Sequence, residues 1–172
     1  MTSSPLAHSR RPVAPLYTPA ERARRDATRW TLVQGVLAPV QFLVFAVSLA
    51  LVLRTLATGQ GEAAASISVL VKTAVLYLIM VTGSIWEKRV FDEWLFARPF
   101  FWEDVFSMLV LALHTAYLWA WFGGHLATRE LMLLALAAYA SYVINATQFV
   151  LKLRAARLQQ QAEARGAAPA GA

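Results

Sequence analysis

Residues 31–53 read TLVQGVLAPVQFLVFAVSLALVL, a run with no formal charge. About 20 residues of α-helix cross a hydrocarbon core of roughly 30 Å, so this stretch is long enough to span a bilayer. Three more apolar runs follow it: 63–86, broken only by Lys72; 101–122, carrying Glu103, Asp104 and His114; and 131–151, with Asn145 and Gln148. A backbone in lipid must satisfy its own hydrogen bonds, so each run is expected to be a helix. Composition agrees, with 58% hydrophobic residues, 15% charged residues and a mean hydropathy of +0.49. So few charges cannot clothe that much apolar surface in water, and the same balance excludes a disordered chain. The expected fold is all-α and integral to a membrane, with four transmembrane helices at about 31–53, 63–86, 101–122 and 130–151.

The first run starts thirty residues in and has no small-residue cleavage site at its end, so it reads as a span and not as a signal peptide. Ahead of it, Thr18-Pro19-Ala20-Glu21 reads as a helix start. Thr18 is the cap, Pro19 takes the first helical position, and Glu21 closes a capping box. A short charged helix is expected to run from there into the first span. Residues 1–17 are expected to be a disordered tail, 18–158 a single four-helix domain, and 159–172 a flexible C-terminal tail.

The net charge is +6. Thirteen Lys and Arg residues fall on the N-terminal segment, the middle loop and the C-terminal segment, against two (Arg54 and Arg129) on the other loops. The positive-inside rule then puts both termini, the short helix and the middle loop in the cytoplasm. The basic excess is thereby read as a topology signal, and no nucleic-acid partner is expected.

Polar residues inside a bilayer are costly and usually face the bundle interior. Here they are Gln34, Gln41, Lys72, Glu87, Glu103, Asp104, His114, Asn145 and Gln148. Gln34, Glu87, Glu103, Asp104, Asn145 and Gln148 all lie toward the inner ends of their spans, so all four helices bring polar groups to one leaflet. Glu103 and His114 are about three helical turns apart and share a face. Lys72 falls at a depth similar to that of His114. Between spans two and three, Trp86, Phe91, Trp94, Phe96, Phe100, Phe101 and Trp102 form an aromatic stretch. It reads either as an interfacial belt or as a wall for a flat apolar ligand.

The inventory also excludes chemistries. With no cysteine there is no disulfide, thiolate metal site, iron–sulfur cluster or Cys nucleophile. One histidine lies within the spans, so a bis-histidine haem and a two-histidine metal site are not expected. No Gly-rich phosphate loop is present. Carboxylates, one histidine, amides and aromatics remain, a set suited to proton transfer on an apolar planar substrate without a protein-bound redox cofactor.

Several stretches carry a family resemblance: PLYT at 15–18, RDATRWTLVQGVLAPVQFLVF at 25–45, VTGSIWEK at 81–88, FFWEDVFSMLVLALHTAY at 100–117 and YVINATQFVLK at 142–152. Over residues 15 to about 158 the chain resembles the 3-vinyl bacteriochlorophyllide hydratase family of bacteriochlorophyll biosynthesis. The resemblance implies addition of water across the vinyl group of a chlorophyllide or bacteriochlorophyllide, giving a 1-hydroxyethyl group. It also implies no cofactor or protein-bound metal, magnesium being present only within the substrate macrocycle. A bacterial inner membrane, cytoplasmic or intracytoplasmic and photosynthetic, is the expected location. The lipid bilayer is the expected surrounding, and a homo-oligomer or association with other pigment-pathway enzymes stays open.

For such a reaction an acid protonates the terminal vinyl carbon, and a base-held water attacks the neighbouring carbon. The acid must keep its proton near neutral pH, which burial favours. Glu103 is the first candidate and Glu87 the second. Asp104 or His114 would hold the water, with Gln34, Asn145 and Gln148 orienting it. Trp86 and Trp102 would face the ring, and Arg89 or Arg98 would pair with the substrate propionate. His114 as a ligand of the substrate's magnesium is an alternative. The rival to an enzyme is a membrane tetrapyrrole-binding or pigment-carrier protein, which would not need an ionisable Glu103.

Overall fold

A computed structural model describes residues 15–166, and among these every regular element is a helix. The order is α1 (Pro19–Ala27), α2 (Arg29–Thr58), α3 (Glu62–Phe91), α4 (Phe101–Gly123) and α5 (Thr128–Gly166). Helices α2 to α5 are each long and apolar enough to cross a membrane. The chain is a multi-pass membrane protein.

The capping box at Thr18 forms as expected. Thr18 Oγ1 accepts from the Glu21 N–H at 3.3 Å, and Glu21 Oε2 accepts from the Thr18 N–H at 2.7 Å. Contrary to the expectation of a continuous run, α1 does not flow into the first span. Thr28 adopts an extended conformation (φ −86°, ψ 135°), closing α1 and capping α2. At the other end, α5 continues to Gly166, through the first part of the segment read as a flexible tail. Residues 1–14 and 167–172 of the expected tails lie outside the described residues.

Gly59, at φ 68°, takes the left-handed conformation that stops α2, its N–H returning to the Thr55 carbonyl at 2.8 Å. The short turn that follows makes α3 antiparallel to α2. Another left-handed glycine, Gly124, ends α4 before α5. The bundle is thus two hairpins, α2/α3 and α4/α5, joined along α2–α5 and, more sparsely, α3–α4. Four antiparallel spans bring the first and last described residues to one end, here the termini end. Pro39 sits inside α2, where it denies the Gly35 carbonyl its helical partner.

Between the hairpins lies a core of Phe45, Val52, Val69, Leu76, Val110, Tyr117, Met132 and Tyr139. Large apolar side chains such as Leu32, Leu43, Trp119 and Phe122 face outward. In water such a surface would aggregate, whereas in lipid it is the matching solvent.

Candidate active site

Three elements build the termini end of the bundle: the last turns of α3, the first turn of α4, and the loop between them. Asp92 caps α3 in the left-handed region (φ 67°), tied back by Lys88, whose Nζ reaches its carbonyl at 2.8 Å and its carboxylate at 2.7 Å. Phe96 is also left-handed, at φ 61°. A bulky residue there is strained and persists only if its surroundings hold it. Here they do. The Phe96 N–H donates to Asp104 Oδ2 at 2.9 Å, and the next N–H, of Ala97, donates to Glu87 Oε2 at 3.1 Å.

The same two bonds bring the carboxyls of α3 and α4 together beneath the loop. Glu87 is 5% exposed and Asp104 3%, and the two carboxyls accept from consecutive N–H groups of one loop. A carboxyl that keeps its proton can donate it and an ionised one can accept one, so the two residues offer an acid and a base beneath the same loop.

Glu103, also buried, has a different partner. Lys152 of α5 reaches its Oε2 at 2.5 Å, donates to the Pro99 carbonyl, and stands 5.2 Å from the Phe100 ring centre. A carboxylate held by an ammonium is a strut between helices more readily than a proton donor. One turn further along α4, Ser107 accepts from Asn145 Nδ2 at 2.8 Å. The Asn145 Oδ1 and Gln148 Oε1 atoms are buried without a protein partner among the described residues. Gln34 donates to Thr82 Oγ1 at 2.8 Å, joining α2 to α3.

His114 is not with these groups. Its Nδ1 lies 2.7 Å from the Val110 carbonyl and so carries the proton, which leaves Nε2 to accept from Lys72 Nζ at 2.7 Å. Lys72 is fully buried and packs over the Tyr142 ring at 4.1 Å. Ten residues of helix, about 15 Å, separate His114 from Asp104.

The aromatic stretch divides in two. Trp86 points inward, its indole N–H donating to Thr31 Oγ1 at 3.0 Å. With Phe91, Phe100, Phe149 and the buried Tyr17 it forms a plug over the termini end, where Tyr17 stacks on Phe91 at 5.8 Å. Burial pushes the Tyr17 phenol above its ordinary value, with Arg25 opposing. Trp94, Phe96, Phe101 and Trp102 face outward instead, Trp102 with 67% of its surface exposed. Trp86 and Trp102 therefore do not line one wall.

The two arginines separate likewise. Arg98 is exposed on the aromatic loop beside Ala97, which binds Glu87. Arg89 borders an open depression of about 400 Å³ with Arg24, Arg29 and Trp30, between α3 and the α1–α2 junction.

Of the expected site residues, the structure thus gathers Glu87, Asp104, Glu103, Asn145 and Gln148, and sets apart His114, Trp86 and Arg89. Lys152 was missed, although it follows Asn145 and Gln148 at seven and four residues, a spacing that keeps one helix face. The two loop N–H groups left no mark in the side-chain pattern at all.

A family model for 2-vinyl bacteriochlorophyllide hydratase matches residues 17–155. A protein of Cereibacter sphaeroides bearing that name is 66% identical over 160 residues, covering 93% of this chain and 97% of the relative. Another of the same name, from Rhodobacter capsulatus, is 63% identical over 166 residues, with 96% and 95% covered. No solved structure matches.

Proposed function

The chain belongs to the 2-vinyl bacteriochlorophyllide hydratase family, the family introduced above under the locant 3, and on that premise we propose how it adds water to the vinyl group. It is a hydro-lyase of bacteriochlorophyll biosynthesis, and its substrate is a tetrapyrrole. The observation that carries the mechanism is the buried Glu87–Asp104 carboxyl pair beneath the aromatic loop.

The macrocycle lies in the bilayer against the outward aromatics Trp94, Phe96, Phe101 and Trp102, with its propionate on Arg98. The loop lifts at its two left-handed residues, Asp92 and Phe96, and admits the vinyl edge. The proton of the pair sits on Glu87, because Lys152 holds the positive charge on the α4 side. Glu87 passes that proton to the terminal vinyl carbon, making a methyl group. The positive charge left on the neighbouring carbon is shared with the ring. Asp104 takes a proton from the water as its oxygen attacks that carbon, and the 1-hydroxyethyl product forms. The proton then passes from Asp104 to Glu87, which resets the site. One water is consumed, and no redox partner, protein-bound metal or cofactor is needed. His114 as a ligand of the substrate's magnesium has no part in this mechanism, since Lys72 occupies its free ring nitrogen.

The thirteen basic residues against two favour the termini end facing the cytoplasm, in the bacterial inner membrane. Membranes containing the chain, incubated with 3-vinyl pigment in deuterated water, test the reaction. The expected product has gained one D2O, with one deuterium on the new methyl carbon. Pigment recovered at unchanged mass overturns the reading.

A further inference from the structure

Gln41 is a residue this mechanism does not use. It is 2% exposed in the middle of α2, and neither atom of its amide has a protein partner among the described residues. Leaving a buried amide unpaired is expensive, so native structures supply a partner from protein or water. Two more buried atoms, Asn145 Oδ1 and Gln148 Oε1, are in the same condition.

Register brings these amides to one level. Ser48 meets Tyr139 at 2.5 Å, and one turn nearer the termini end the Phe45 and Tyr142 rings lie 5.0 Å apart. One turn further, Gln41 comes opposite Ala146 and its neighbour Asn145, with Gln148 less than a turn beyond. Helical side chains lean toward their own N-terminus, so Gln41 leans toward the acid pair and Gln148 leans back toward Gln41, while Asn145, level with residue 42, leans the other way. Asn145 also holds Ser107, one turn along α4 from Asp104.

We propose that Gln41, Asn145 and Gln148 form a water site between α2 and α5 that delivers the nucleophile to Asp104. The atoms decide the guest. Three unfilled carbonyl oxygens, of Gln41, Asn145 and Gln148, need three donated hydrogens, and the Gln41 NH2 needs an acceptor, which takes two waters. Water donates twice and accepts twice. A ring carbonyl of the tetrapyrrole donates nothing and leaves all three acceptors unfilled. The delivery step rests on the mechanism above, whereas the water site does not.

The test uses the full chain in membranes. Brief X-ray irradiation in H2¹⁸O oxidises side chains beside bound water, and the heavy label is read at Phe45 and Tyr142. Wild type should be labelled there, and Gln41→Leu and Gln41→Met should both lose the label. The same variants should lose about 10- to 100-fold in kcat on 3-vinyl pigment with KM unchanged. Gln41→Asn, which keeps the amide, should recover part of both. Label that persists in both variants overturns the site, whatever the hydratase results show. Label lost with kcat unchanged overturns the delivery role, and a raised KM with unchanged kcat assigns the amides to the pigment instead. Loss of turnover in Glu87→Gln with the label intact leaves both proposals standing, whereas full turnover in that variant removes only the acid assignment.

Discussion

Replacing Lys152 with Met separates the two roles a buried carboxylate near this site can have. Lys152 is the cation that Glu103 touches, at 2.5 Å, and Glu103 keeps only 9% of its side-chain surface exposed. Breaking a buried pair by removing one partner strands the other charge and costs about 3–5 kcal/mol. Lys152 retains 27% of its side-chain surface, so some water reaches the pair and the lower end, about 3 kcal/mol, is expected. The Pro99 carbonyl loses its donor too, which loosens the start of α4 and with it Asp104. Lys152→Met should therefore lower both the thermal unfolding midpoint in detergent and turnover of 3-vinyl pigment. Adding Glu103→Gln removes the stranded charge, and the double variant should regain most of the midpoint and of the activity. A double variant that regains its midpoint yet stays inactive would refute the reasoning, because Glu103 would then be acting in the chemistry itself.

Two further outcomes follow from the same geometry. Burial raises the Tyr17 phenol, so the neutral form stabilises the docked N-terminal segment, fully below the unfolded value near 10.0 and less as pH rises through the folded value. The segment should release only above about pH 10, seen as protease cleavage near residue 17, and Tyr17→Phe should abolish the pH dependence. Lys72→Met should cost about 1–3 kcal/mol by leaving His114 Nε2 unpaired, while turnover stays within about threefold because the change lies roughly 15 Å along α4 from Asp104.

Run length and composition were enough to read the four spans, and the Thr18–Glu21 spacing alone located α1. These are local signals, since each depends on residues a few positions apart. The gathering of acids at one end was also legible, because depth in a bilayer is measured along the chain. Partner choice was not. Glu103 and His114 share a buried face as their spacing requires, yet each binds a lysine from a different helix. Which lysine depends on the rotation and register of α3 and α5 against α4, and no single helix encodes that. Trp86 and Trp102 belong to one aromatic stretch but face opposite ways, because the loop reverses the chain between them. The bonds that pull Glu87 and Asp104 together come from the backbone at Phe96 and Ala97, where side-chain identity carries no signal.

The central claim is that the Glu87–Asp104 pair supplies the proton. Glu87→Gln keeps an acceptor for the Ala97 N–H and a donor toward Asp104, so loop and bundle should stand and the heat resistance should be that of wild type. Turnover of 3-vinyl pigment by this variant is the direct measurement. The account predicts a fall of about 100- to 10,000-fold, the contribution of a positioned general acid, and turnover at the wild-type rate would contradict it.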